Sequence, residues 1–263
     1  MLIESTVHFP VGLALFEELI HGPTSGADIA RILLRWTHFV AGVLWIGLLY
    51  FFNLVNVPLM KALDGPTKNK VIPELMPRAL WYFRWGALVT VLAGLSYYSM
   101  YILSTEARNA GLSPGGELGI WLVIVLVTYA ILYGLYQVPA LTKDGRILAV
   151  VVAILVLAMA GAVLYFLGTA SHVVDAAGNR KYLGNKSLSI GVGGGLGILM
   201  LLNVWGIIWP AQKRIIAATI AGTPAPADLA RKAFLASRTN AWLSLPMLFF
   251  MGTSHGDYII FGR

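Results

Sequence analysis

Cysteine is absent from this 263-residue chain, which excludes thiolate catalysis, iron–sulfur ligation, structural disulfides and covalent attachment of a c-type haem. Any cofactor must therefore be held by histidine, methionine or other non-thiol ligands. Of the histidines His8, His21, His38, His172 and His255, two have informative surroundings. Arg31, Arg35, His38, Gly42 and Trp45 follow one another at helical spacing and share one face. Met251 precedes His255 by one turn on the same face. Two imidazoles projected from facing helices are what axial ligation of a b-type haem requires. In that reading Gly42 leaves room for the flat macrocycle below His38, and Arg31 and Arg35 pair with the propionates. Met251 is then an alternative axial ligand. In the competing reading the arginines snorkel to lipid headgroups, Gly42 is a helix contact and Met251 is packing. Spacing alone does not separate the two.

Other polar side chains form a second group. Asn53 and Asn56, Asn203 and Gln212, and Arg238 and Asn240 fall near the ends of three apolar stretches. They read either as a pocket for a quinone or planar heterocycle, or as interhelical bonds and end caps. The run from Gly191 to Gly197 fits no dinucleotide-binding register. Its two overlapping GxxxG pairs favour close helix packing over a flat ligand. No acid pair or hydrolase triad is present, and adjacent Ser254 and His255 do not have triad geometry.

The elements that must carry these residues follow from composition. The chain is 58% hydrophobic and only 12% charged, with mean hydropathy +0.75. A soluble domain carries about 25% charge, so the expectation is an all-α, polytopic membrane helix bundle. Six stretches approach the ~20 residues needed to cross hydrocarbon: Trp36–Val57, Trp85–Leu103, Leu118–Thr142, Ile147–Gly168, Leu188–Ala211 and Ala241–Gly262. Residues 1–27 form an N-terminal peripheral segment, too short in its apolar run to span and without a basic signal-peptide start. Residues 28–263 form the six-helix domain, with a helix start capped by Asp28 and an interfacial helix over about 228–240.

Twelve of the nineteen lysines and arginines follow spans 1, 3 and 5, so that side is read as cytoplasmic and both termini as outer, periplasmic. The net charge of +7 then divides into +8 inside and −1 outside. Topology accounts for the basic balance without nucleic acid. All five histidines fall on the outer side. His8, His21 and His172 read as interfacial residues. His38 and His255 lie inside spans, where an ionisable group is costly and functional by default. Antiparallel spans 1 and 6 bring them to similar depth.

Three ordered blocks resemble the membrane domain of bacterial membrane-bound urate oxidases, the cytochrome-c-linked urate hydroxylases. They are Trp36-Thr-His38-Phe-Val-Ala-Gly42-Val-Leu-Trp45-Ile-Gly47, then Asn203 through Pro210 to Gln212, and the long segment Arg238-Thr-Asn240 through Pro246 and Met251 to Ser254-His255. The first block is the least specific, since copper-resistance and protoporphyrinogen-oxidase membrane proteins carry similar first helices. The resemblance implies an oxidoreductase of the bacterial inner membrane that passes electrons to cytochrome c on the outer face. Family members continue into a C-terminal cytochrome c domain, whereas here the sequence stops at Arg263 and has no cysteine. The family's histidine before the second span is replaced by the stretch Trp81-Tyr-Phe-Arg84-Trp85. The expectation is therefore an electron-transfer protein with haem b at His38 and His255 and a separate cytochrome c as partner. The alternative is a non-catalytic subunit that anchors a larger respiratory or photosynthetic complex in the bilayer. A transporter or channel fits less well, because the spans lack mid-membrane charge.

Overall fold

In the computed structural model the described residues are Pro23, 25–169, Gly178, 182–255 and 260–261. The histidines His8, His21 and His172 and nearly all of the N-terminal segment lie outside them. Every regular element among the described residues is helical. Helix α1 runs Gly26–Ala62, α2 Gly65–Asn109, α3 Pro114–Leu135, α5 Gly145–Gly168 and α6 Asn185–Ile220. A short α4, Pro139–Lys143, joins α3 to α5, and α7 runs Ala227–Thr253. Helices α1, α2, α3, α5 and α6 are long and apolar enough to cross a membrane.

Several boundaries differ from the sequence expectation, each for a local reason. Helix α1 is capped by Ser25, whose hydroxyl accepts from the Asp28 amide at 3.2 Å, rather than by Asp28. Asp28 instead sits in the first turn, where the helix dipole favours a carboxylate. Helix α2 starts twenty residues before the expected span and runs through Pro73 and Pro77. These prolines are four apart, so the amide missing at Pro77 is the one that Pro73's carbonyl would have bonded, and the two interruptions overlap. The third span ends at Leu135, short of Thr142. The expected interfacial helix and the last span are a single helix, α7, continuous past Arg238. Its uncharged part, residues 239–253, is about 22 Å long at 1.5 Å per residue. Gly111, at φ +72°, turns the chain out of α2, and Ser113 then caps α3.

Helix α6 is the centre of the bundle and is buried on nearly every side from Ser187 to Leu201. The glycine run explains this. Successive glycines two residues apart point in roughly opposite directions. A Cβ on Gly191 would lie 3.1 Å from Val163 on α5, on Gly193 3.1 Å from Phe250 on α7, and on Gly195 3.2 Å from Val125 on α3. Bare backbone at these positions lets three neighbours close on α6 at once, as the packing reading expected. A Cβ on Gly197 would meet nothing.

Helix α1 lies at the edge of the bundle. It packs mainly on α2, where a Cβ on Gly86 would sit 3.5 Å from the Ala41 carbonyl and the Trp45 amide. Trp36, Phe39 and Val43 on its outer side are 63%, 67% and 72% exposed, an apolar surface suited to lipid rather than water.

Candidate functional site

The stripe Arg31, Arg35, His38 and Gly42 is one face of α1, and that face lies along α2. Arg31 stacks over Tyr101 at 5.0 Å and Arg35 over Tyr97 at 5.8 Å. The His38 ring rests on Gly94, where a Cβ would lie 2.6 Å from Nδ1 and 2.7 Å from Cε1. Gly42 faces Thr90, whose methyl would be 3.6 Å from a Cβ there. The space beside Gly42 is thus taken by a side chain of α2, and Tyr101, Tyr97, Gly94 and Thr90 form the complementary stripe.

Gly94 also leaves the carbonyl of Thr90, one turn earlier, open to His38. Nδ1 of His38 lies 2.8 Å from that oxygen. A carbonyl only accepts, so Nδ1 carries the proton and donates it. Nε2 has no hydrogen-bond partner among the described residues.

His255 reaches the same state by a different route. It lies just beyond the end of α7. The hydroxyl of buried Ser254 is 2.7 Å from the Met251 carbonyl and 2.7 Å from His255 Nδ1. A hydroxyl has one proton, and it must go to the carbonyl, which cannot donate. Nδ1 of His255 therefore donates to Ser254, and Nε2 meets no hydrogen-bond partner among the described residues. Partial burial, then the nearby Arg35 guanidinium, hold this imidazole below its ordinary pKa, with His38 a smaller contributor of the same sign. The neutral form is the ligand form.

The depths of the two histidines agree. Tyr50 on α1 meets Ser244 on α7 through a 3.0 Å hydroxyl contact. From that crossing His38 is twelve residues along α1 and His255 eleven along α7, about 18 and 16 Å toward the same end. Met251 is turned elsewhere, its methyl packed 3.2 Å from the Cβ position of Gly193 on α6.

No cluster of three or more His, Cys, Asp or Glu suited to a metal ion occurs among the described residues. Two imidazoles alone do not complete a metal's coordination. They suit a group that brings its own equatorial donors, as a porphyrin does. Two imidazoles are a donor pair of the kind haem takes axially, and Arg31 and Arg35 share the face of α1 that carries His38, but Thr90 fills the space beside Gly42, which contributes no slot. The supporting residues Thr90, Gly94 and Ser254 escape a sequence reading, because their roles depend on the register between helices and on the path of the chain past α7.

The six polar residues at the other end divide among separate contacts. Asn203 donates to Asn240 at 2.8 Å, and Asn240 donates to the Met200 carbonyl at 2.9 Å, tying α6 to α7. Asn53 reaches Ser237 on α7 at 3.0 Å, and Asn56 the Met76 sulfur on α2 at 3.8 Å. Arg238 stacks on Phe234 and lines a shallow surface cavity of about 620 Å³ with Lys143, Arg146 and Arg231. Gln212 takes no part in the amide contacts. The amide nitrogens bond to a neighbouring amide, to helix backbone and to nearby side chains, while the Oδ1 atoms of Asn56 and Asn203 are buried without a donor.

No curated protein and no solved structure matches the chain. Residues 63–261 match the family model described as urate oxidase N-terminal. The match begins directly after α1, so it takes in α2 to α7 with His255 and leaves out His38. It covers about three-quarters of the sequence and contains two of the three blocks on which the resemblance rests. The chain belongs to the urate oxidase N-terminal family, as an all-helical membrane domain.

Proposed function

We propose that this chain is an electron-transfer domain of the membrane urate-oxidase type, binding haem b through His38 and His255 and passing electrons to a separate cytochrome c on the outer face of a bacterial inner membrane. The observation that carries the reading is the matched state of the two imidazoles. Each turns Nδ1 to a protein oxygen and leaves Nε2 without a partner among the described residues, His38 on α1 and His255 just past the end of antiparallel α7, at similar depth. Metal-ligating histidines are usually oriented this way, because the second hydrogen bond sets the tautomer and raises the basicity of the ligating nitrogen. Bound there, haem would supply a one-electron iron couple. Arg31 and Arg35, held over Tyr101 and Tyr97, provide fixed positive charge for carboxylates on that side.

In the same proposal the chain crosses the bilayer six times, with the lysine- and arginine-rich ends cytoplasmic and both termini outside. Helix α7 makes the last crossing with its short uncharged half, aided by snorkelling of Arg238 at its inner end.

The test is an absorption spectrum and pyridine haemochrome assay of the protein purified from its native membrane. The expected result is a Soret band that His38→Ala and His255→Ala each abolish. A colourless, iron-free wild-type preparation would overturn the proposal. If that preparation also held a stable set of co-purifying subunits, the non-catalytic anchoring role would take its place.

A further inference from the structure

Arg84 has a setting that the histidine pair does not use. Its guanidinium carbon lies 3.8 Å from the centre of the Trp209 ring and 5.8 Å from that of Trp205, both on α6. The Trp205 indole N–H donates to the Arg84 carbonyl at 3.2 Å, fixing the two helices in register. Lys213 approaches the same Trp209 ring at 5.9 Å, which holds the two cations within about 10 Å of each other. Neither has a carboxylate partner among the described residues. The one ion pair among the described residues joins Arg78 to Glu74, and the Nε of Arg84 is buried without an acceptor.

Trp209 and Trp205 lie against the guanidinium and its Nε is closed off, so the terminal Nη edge is the part left to meet an acceptor from outside the bundle. Two oxygens on one atom match that edge. The surroundings name the source of those oxygens. Trp85 packs edge-on to Trp205 at 5.5 Å. Trp81, Tyr82 and Trp85 are 49%, 54% and 40% exposed on the outside of the bundle. Exposed tryptophan and tyrosine beside lysine and arginine mark the depth of lipid headgroups, and basic pockets between membrane helices hold anionic ones.

We propose that the groove between α2 and α6 binds the phosphodiester headgroup of an anionic phospholipid, with Arg84 and Lys213 on its non-bridging oxygens and its acyl chains along Trp81 and Trp85. The proposal is independent of haem.

The experiment is native mass spectrometry of the full chain released from nanodiscs of phosphatidylglycerol mixed with phosphatidylcholine. Wild type is expected to retain phosphatidylglycerol about tenfold over phosphatidylcholine, and Arg84→Gln to reduce that preference to near unity. Arg78→Gln, which removes an exposed cation already paired with Glu74, should leave it unchanged. Arg84→Lys preserves charge without the fork and should retain an intermediate amount, which keeps the test open if the glutamine variant does not fold. Equal retention of the two lipids by wild type, or no loss on substitution of Arg84, overturns the proposal. Displacement of the lipid by millimolar inorganic phosphate also overturns it, since the groove would then be a site for a free anion.

Discussion

Gly94→Ala tests the geometry that orients His38. The added methyl carbon would start 2.6 Å from Nδ1 and 2.7 Å from Cε1 of the imidazole. Ordinary contact begins at 3.4 Å, so the ring must retreat by about 0.8 Å. The hydrogen bond to the Thr90 carbonyl is already 2.8 Å long, and a displacement of that size stretches it past useful length. Loss of the bond costs about 1 kcal/mol, and overpacking a closed interface adds about 1–3 kcal/mol. The expected total is about 2–4 kcal/mol, less whatever alanine regains over glycine in helix propensity, about 1 kcal/mol at most. Gly42→Ala, one turn below His38 on the partner helix, is the internal control. Its methyl would meet only the Thr90 side chain at 3.6 Å, so its effect should be near zero or slightly stabilising. Thermal unfolding in detergent, followed by tryptophan fluorescence, compares the two. Nitrogen NMR of the His38 imidazole reads the tautomer, which should lose its single Nδ1–H state in Gly94→Ala alone. If both variants melt alike and His38 keeps its tautomer, the account of how α2 orients this residue is wrong.

Two further expectations concern the other contacts. His255 is held below its ordinary pKa by partial burial and then by Arg35, so the unfolded chain binds the proton first as acid is added. Its contribution to stability is intact above about pH 6.5 and is lost as pH falls toward the folded value. His255→Gln, which does not titrate, should flatten the melting temperature between pH 8 and 5, and an acid slope as steep as wild type would count against this. Asn203 and Asn240 are fully buried and bonded to each other. Asn203→Ala should cost about 1–3 kcal/mol by leaving the Asn240 oxygen unmet. The double variant with Asn240→Ala should fall short of the sum of the single effects by roughly 1 kcal/mol, and strict additivity would remove the pair as an interhelical tie.

Much of this protein was readable from local pattern. Low charge and long apolar runs dictate membrane helices, because a chain in hydrocarbon must satisfy its own backbone. The 3.6-residue period placed Arg31, Arg35, His38 and Gly42 on one face, and the glycine run announced close packing, since both depend only on residues within a few turns. The same local reasoning erred at Arg238, where a charge expected to separate an interfacial helix from the last span lies inside the continuous α7.

What periodicity cannot specify is a partner. It shows that His38 and Gly42 share a face and says nothing of which helix that face meets. Only the tertiary structure laid the stripe on Tyr101, Tyr97, Gly94 and Thr90. That contact filled the space beside Gly42 and decided which imidazole nitrogen is free. It likewise set Arg84, unremarkable among its aromatic neighbours in sequence, against Trp209 more than a hundred residues away. Side-chain chemistry was written in the sequence, but hydrogen-bond direction and charge pairing depend on distances of a few ångströms between helices, and the folded packing alone sets those.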